Sequence, residues 1–224
     1  MRILYTLVLL FSGTVVWAQT FTPPVFPVSG KSTQNFILPN WHLKTSSQGD
    51  LNGDMVADLA LVMELKDTLQ ELRPDGTTNL GSPRVLLILF KDPQSGFYKK
   101  VSQHNTFILR HGEGAMEPEP FGQISIKNRV LDVSFEYLRS HAAYKFRYQQ
   151  NEFKLIGATT GGVSGEQVEK WDFNFSTNKA LHEWGGTSDQ KLKHEWKAVP
   201  VTQLKSLQDL LMPQSWEVLP NVII

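Results

Sequence analysis

Between Leu131 and Tyr148 the apolar residues fall on every second position. Leu131, Val133, Phe135 and Tyr137 alternate with Asp132, Ser134 and Glu136, and Tyr144, Phe146 and Tyr148 alternate with Lys145, Arg147 and Gln149. A period of two sends successive side chains to opposite faces of a strand, one face into a core and the other into water. Polar turns at Lys127-Asn128-Arg129 and Gln149-Gln150-Asn151 separate the runs, and the second leads into Phe153, Leu155 and Ile156. An antiparallel meander is therefore predicted from Ile124 to Ile156. A further hairpin is predicted from Trp171, Phe173 and Phe175 through a turn at Thr177-Asn178, returning by Leu181 to Trp184.

Two other segments, Val56 to Leu65 and Val85 to Phe90, are apolar runs bounded by turn residues, the pattern of strands covered on both faces. Between them Lys66 to Pro83 is polar, holds Pro74-Asp75-Gly76, and reads as a long exposed loop. One helix is predicted, with Thr202 as its cap, Leu204, Leu207, Leu210 and Leu211 on one face, and Pro213 as its stop. The expected fold class is mostly β, with α+β as the alternative: one antiparallel meander or sandwich-like domain over residues 41–224, carrying one short C-terminal helix.

The N-terminus opens with Met1 and Arg2, runs apolar from Ile3 to Phe11, and ends in Val16-Trp17-Ala18 before Gln19. A charged head, an apolar stretch too short to span a bilayer and small residues ahead of a cleavage point describe an export signal over residues 1–18. Residues 19–40 contain Pro23, Pro24, Pro27 and Pro39, which favour an extended arm over a helix. The expected location is the periplasm or the outside of the cell, with no transmembrane segment in the mature chain. There is no cysteine, which excludes thiolate metal sites and leaves stability to packing alone. Lys plus Arg and Asp plus Glu are equal at 22 each, without a basic run, so no nucleic-acid partner is expected.

The chain's most distinctive motif is Gly49 to Val62, GDLNGDMVADLALV. Asp50, Asn52, Asp54 and Asp58 stand at positions 1, 3, 5 and 9 of a loop, with the Val56 carbonyl at position 7. Calcium takes six to eight oxygens at about 2.3–2.6 Å, and alternate side chains of a curled loop can supply them. Leu61 stands where an EF-hand has its bidentate Glu, so the loop is not an EF-hand. The run resembles the calcium loop of FG-GAP or VCBS-type repeats, in which G-D-x-N-x-D-G-x-x-D leads into an apolar strand. That resemblance implies Ca²⁺ as the bound ion and Asp50, Asn52, Asp54, Val56 and Asp58 as its ligands; the alternative reading of the same residues is an Asx-turn network without metal, in which these side chains bond backbone N–H groups at a strand entrance. Met55 occupies the usual Gly position, where a positive φ costs a non-Gly residue roughly 1–2 kcal/mol. The motif occurs once, which excludes a propeller of such repeats. More broadly, the Leu-Pro-x-Trp lead-in at Leu38 to Trp41, the GDLNGD loop, the RVLLILFK strand and the YKFRYQQNEFKLIGA hairpin resemble exported bacterial proteins of uncharacterised role.

Other constellations carry less. His42, His104, His111, His141, His182 and His194 have no metal-ligand spacing. His182-Glu183-Trp184 and His194-Glu195-Trp196 look alike, yet nothing in one dimension brings them together. GATTGGVSG at Gly157 to Gly165 lacks the Lys-Ser/Thr of a phosphate loop and the G-x-S-x-G of a hydrolase elbow, and reads as a loop. Glu113, Glu117 and Glu119 sit in a Pro/Gly-rich stretch that reads as solvated. Trp41, Trp171, Trp184, Trp196 and Trp216 are assigned to the core ahead of a carbohydrate or peptide platform. The function expected is non-enzymatic binding or structural support, with a protein or polysaccharide partner. The alternatives are a hydrolase using Asp50, Asp58 or Glu113, and an inhibitor presenting Gly157 to Gly165.

Overall fold

Apolar runs of both parities need cover on both faces, and the tertiary structure supplies it from two directions. The computed structural model describes residues 21–72, 76–113 and 119–224. The chain passes through β1 (Ser29–Gly30), a 3-10 turn at Thr33–Phe36, β2 (Trp41–Gly49), β3 (Asp58–Leu65), β4 (Leu69–Leu72), β5 (Thr78–Gly81), β6 (Arg84–Lys91) and β7 (Tyr98–His104). It continues through β8 (Phe121–Lys127), β9 (Val130–Glu136), β10 (Ser140–Gln149), β11 (Glu152–Ser164), β12 (Gln167–Asn174), β13 (Lys179–Gly186) and β14 (Lys193–Ala198). A second 3-10 turn at Leu207–Asp209 precedes β15 (Glu217–Leu219) and β16 (Val222–Ile223). The chain is mostly β and its sheets are antiparallel.

The first large sheet has the order β1-β7-β6-β3-β2, and the second is a seven-stranded meander in sequence order from β8 to β14. Its predicted turns form as tight reversals: Asn128 and Arg129 have φ of 53° and 62°, as do Gln150 and Asn151. Two positive φ values in succession match the right-handed twist of the strands they join.

By alternation, Ala60, Val62, Leu86 and Ile88 face the second sheet, where they join Leu131, Val133, Phe135, Tyr144 and Phe146 in one core. Leu59, Leu61, Met63, Val85, Leu87 and Leu89 face the other way and form a second cluster with Phe26, Phe36 and Trp41 of the N-terminal segment. The proline-rich segment is therefore one outer layer of the first sheet. β7 holds it there: Gln103 Nε2 donates to the Pro24 carbonyl at 2.9 Å, and Lys100 Nζ to the Phe26 carbonyl at 2.7 Å.

The inner face of β3 reads Asp58, Ala60, Val62, Glu64, apolar in the middle and acidic at each end. Each acid has a dedicated partner set. At one end Arg84, 1% exposed, donates to Glu64 at 2.5 Å, to both oxygens of Glu119 at 2.7 and 2.6 Å, and to the Leu109 carbonyl at 2.5 Å. Lys44 adds ion pairs to Glu64 and Glu119 at 3.5 and 3.1 Å. Arg84 is buried on a network that satisfies its fork, the condition under which a buried guanidinium is tolerable.

Three sequence expectations are corrected. The C-terminal helix does not form. Its segment is a single 3-10 turn capped at Ser206, with Leu207 and Leu210 buried and Leu211 60% exposed. Its backbone pairs outward, Leu155 N–H to the Lys205 carbonyl at 2.8 Å and His104 Nε2 to the Leu210 carbonyl at 2.8 Å. A helix of about ten residues is marginal, and tertiary partners for its carbonyls outcompete it. Gly157 to Ser164 is not a loop but half of the thirteen-residue β11. Its glycines permit close strand approach: a Cβ at Gly162 would stand 2.9 Å from the Arg139 carbonyl oxygen, and one at Gly157 2.9 Å from that of Phe173. Gly157 to Ser164 therefore does not protrude as a loop. The exposed stretch 66–83 contains the β4–β5 hairpin. The export signal at 1–18, Pro74, Asp75 and Glu117 lie outside the described residues.

Candidate functional site

The acidic loop joins β2 to β3 and is closed by its own amides. Asp50 Oδ1 accepts from Gly53 N–H at 2.6 Å and Oδ2 from Met55 N–H at 3.1 Å. Asn52 Oδ1 accepts from Asp54 N–H at 2.9 Å, and Asp54 Oδ1 from Val56 N–H at 2.8 Å. Asn52 Nδ2 donates to Asp54 Oδ2 at 3.0 Å. Met55 has φ 66° and its side chain is 92% exposed, so the curl at this position is taken at a strained residue with nothing packed on it.

Asp58 differs from the other acids. Fully buried, it accepts from Leu51 N–H at 2.9 Å and, across the sheet, from Lys91 N–H at 3.0 Å. Burial pushes its carboxyl above the usual carboxylate range, while those amide bonds pull the other way. Asp58 thus ties the loop to the end of β6. The loop places Asp50, Asn52, Asp54 and Asp58 as hydrogen-bond acceptors of a corner, and no three acidic or histidine side chains among the described residues are grouped to hold a metal. Each oxygen that accepts one amide retains a second lone pair, which is the chemistry an added oxygen-seeking cation would use. Glu113 lies elsewhere, lining a 450 Å³ cavity with Tyr137 and Met212, so the three carboxylates considered for hydrolysis do not share a pocket.

A different part of the fold assembles a site that the sequence left scattered. β12, β13 and β14 pair in a register that puts Trp171 opposite His182, Glu169 opposite Trp184, and His182 opposite Glu195. The two His-Glu-Trp triplets therefore meet across one strand pair. Rings stack in a row along this face: Phe175 on Phe173 at 5.6 Å, Phe173 on Trp171 at 5.7 Å, Trp171 on His182 at 3.9 Å and His182 on Trp184 at 4.6 Å between centroids. Trp216 continues it beyond Phe175 at 5.3 Å. Trp171 and His182 are directly opposite on neighbouring strands and the other stacks join residues two apart along one strand run, so alternation and register together make the row.

Carboxylates orient the row. Glu169 Oε1 accepts from Trp171 Nε1 at 3.1 Å and stands 3.0 Å from His182 Nε2. Glu195 Oε1 stands 3.3 Å from His182 Nδ1 and 2.9 Å from Lys197 Nζ. The hydrogen bonds from Lys197 and then His182 hold the Glu195 carboxyl below its ordinary range. A neutral imidazole has one N–H to give, so both His182 contacts are hydrogen bonds only when the ring carries two protons.

Beside the row lies an open cleft of about 410 Å³. It is lined by Thr160 to Ser164 of β11, by Gln167, Glu169 and Trp171 of β12, by Arg139 and Ser140, and by Asn221 to Ile223 of the C-terminal hairpin. Ser140, Thr160 and Ser164 offer hydroxyls, but both nitrogens of His182 face carboxylates, so this histidine is not placed to activate a nucleophile. The hairpin turn at Asn178 was the sequence signal for the β12–β13 pairing that sets Trp171 opposite His182, whereas no residue of the two triplets lines the cleft.

Trp41 and Trp171 are buried, as assigned, whereas Trp196 is 66% exposed. No helix among the described residues is long and apolar enough to cross a membrane. No family model, curated protein or solved structure matches this chain.

Proposed function

We propose that this chain is an exported, non-enzymatic binding protein and that its ligand is a saccharide unit of a polysaccharide, held in the cleft beside Trp171. The observation that carries the reading is the mixed lining of that cleft: three hydroxyls, two carboxamides, a carboxylate and a guanidinium beside one indole, with Val163, Val222 and Ile223 as its apolar side. Many short polar hydrogen-bonding groups beside an aromatic ring suit a hydroxyl-rich, weakly charged ligand better than an apolar one. A site built on strands also keeps its geometry without ligand. Titration with cello-, chito- and malto-oligosaccharides, read by tryptophan fluorescence and calorimetry, is expected to show saturable binding by one class. Arg139→Ala should weaken that binding tenfold or more, about 1.4 kcal/mol. Failure of every sugar class to bind would remove the reading.

Calcium at the 50–58 corner belongs to the same proposal, as a structural ion. It is supported by the 1-3-5-7-9 spacing of oxygen donors and by the positive φ of Met55, at the position where such loops place Gly. Calcium at about a hundred times its dissociation constant should raise stability by roughly 2.7 kcal/mol. Identical melting curves in calcium and in chelator would exclude the ion.

A further inference from the structure

β14 is the outer strand of the seven-stranded sheet, and all six of its residues, Lys193 to Ala198, are exposed. An exposed edge is a template for another strand unless something blocks it. Lysines are a common block, and Lys193 and Lys197 are here, but Glu195 stands between them.

The backbone phase restricts what can pair. Val199 N–H donates to the Asn178 carbonyl at 2.9 Å, and the β13–β14 register continues that pair as 197 with 180 and 195 with 182. In an antiparallel ladder, residues bonded to one neighbour alternate with residues whose N–H and C=O point away. Odd-numbered residues therefore bond β13, and His194, Trp196 and Ala198 present their amides outward. An antiparallel partner with this same sequence can pair only even residues with even residues. Centring the pair between His194 and Trp196 sets Glu195 against its own copy and Lys193 against Lys197, both repulsive. Centring it on Trp196 sets Trp196 against Trp196 and Glu195 against Lys197 twice over, and Pro200, which lacks an N–H, ends the pairing.

We infer that β14 is a self-association edge, on which a second copy of this chain pairs antiparallel about Trp196 and joins two seven-stranded sheets into one. Centring on His194 would also oppose Lys193 to Glu195 twice over, but it sets Lys191 against Lys197 twice as well, so charge complementarity along the whole edge favours the Trp196 register, in which the tryptophan, 66% exposed in the single chain, gains cover. The contact is small, so the dimer should be a weak one, with a dissociation constant of about 1 µM or more.

Sedimentation equilibrium of the full chain over a concentration series should show a reversible monomer–dimer equilibrium. Glu195→Lys and Lys197→Glu, each of which sets like charges opposite, should abolish it, and the double swap should restore it. Because the native chain has no cysteine, Trp196→Cys provides a single thiol. Cα atoms about 5.5 Å apart in such a pair lie within disulfide range. Under mild oxidation this variant should form a covalent dimer faster than Val25→Cys, a control whose native residue is 82% exposed. Circular dichroism would verify that each variant folds. A chain that stays monomeric at every concentration overturns the proposal, as does a dimer indifferent to both single charge reversals, or Trp196→Cys oxidising no faster than the control. An edge taken by a foreign peptide would leave the chain monomeric and counts against the proposal in the same way.

Discussion

Asp58 shows how much a single side chain contributes when its chemistry is fully used. Its two oxygens serve two backbone amides, one in the corner loop and one at the end of β6, and it has no water to fall back on. Asp58→Ala would leave both amides without their acceptor, and an unsatisfied buried donor costs roughly 1–3 kcal/mol. The variant should lose about 3 kcal/mol or more, measured by urea denaturation. A comparable Asp54→Ala change touches a half-buried loop amide and should cost much less. The sign of the Asp58 contribution with pH follows from its raised folded value: protonation is favoured in the native state, so its ionisation opposes folding as pH rises from 3.8 through the folded pKa.

The C-terminal segment illustrates the same logic in an element. It was a candidate helix because four leucines recur at helical spacing, but it lies as a strap over the inner core, fastened by His104. His104 Nε2 donates to the Leu210 carbonyl while Nδ1 accepts from Phe107 N–H at 3.0 Å and Thr106 N–H at 3.3 Å. That pattern requires the neutral ring, and burial first of all lowers its pKa from 6.5, with the Leu210 and Leu207 carbonyls opposing. A histidine whose folded pKa is depressed contributes stability that is complete above the unfolded value and lost as pH falls through the folded one. Stability should therefore fall as pH drops from about 6.5 through the lower folded value, and His104→Gln, which keeps a donor and an acceptor, should flatten that part of the profile. An unchanged slope in the variant would detach the strap from this residue.

For the molecule as a whole, the two sheets are closed at one end by the corner at Asp58 and at the other by Arg84 with Glu64, Glu119 and Lys44. Burial would raise the Glu119 carboxyl, but bonding to Arg84 and Lys44 outweighs it and brings the value below 4.5. Its contribution is present above 4.5 and disappears as pH falls through the lower folded value, so Glu119→Gln should flatten the acid limb of the stability curve. Arg84→Ala removes the charge around which three acidic or carbonyl groups are arranged. Breaking such a pair costs about 3–5 kcal/mol, and the partial exposure of Glu119 places this case at the lower end. Equilibrium denaturation of Arg84→Ala beside Glu119→Gln would separate the loss of the network from the loss of one acid.

The strands were legible wherever period-two alternation met a turn able to take positive φ, as at Asn128 and Asn151, because both signals are local. The corner loop was legible for the same reason: Asp50, Asn52 and Asp54 bond amides two to five residues away. What could not be read locally were the partners. Leu204 to Leu211 has a helical pattern, but the carbonyls of Lys205 and Leu210 are satisfied by Leu155 and His104, about 50 and 106 residues away. Gly157 to Ser164 looks like a loop until neighbouring strands are close enough to need the missing Cβ atoms. His182 and Glu195 became one cluster only through the β13–β14 register, and Arg139 joined the cleft only through the meander that carries β10 beside β11. Short-range hydrogen bonding and alternation fixed the strand alphabet, whereas long-range register, which depends on which faces are buried together, composed the stacked ring row and the cleft beside it.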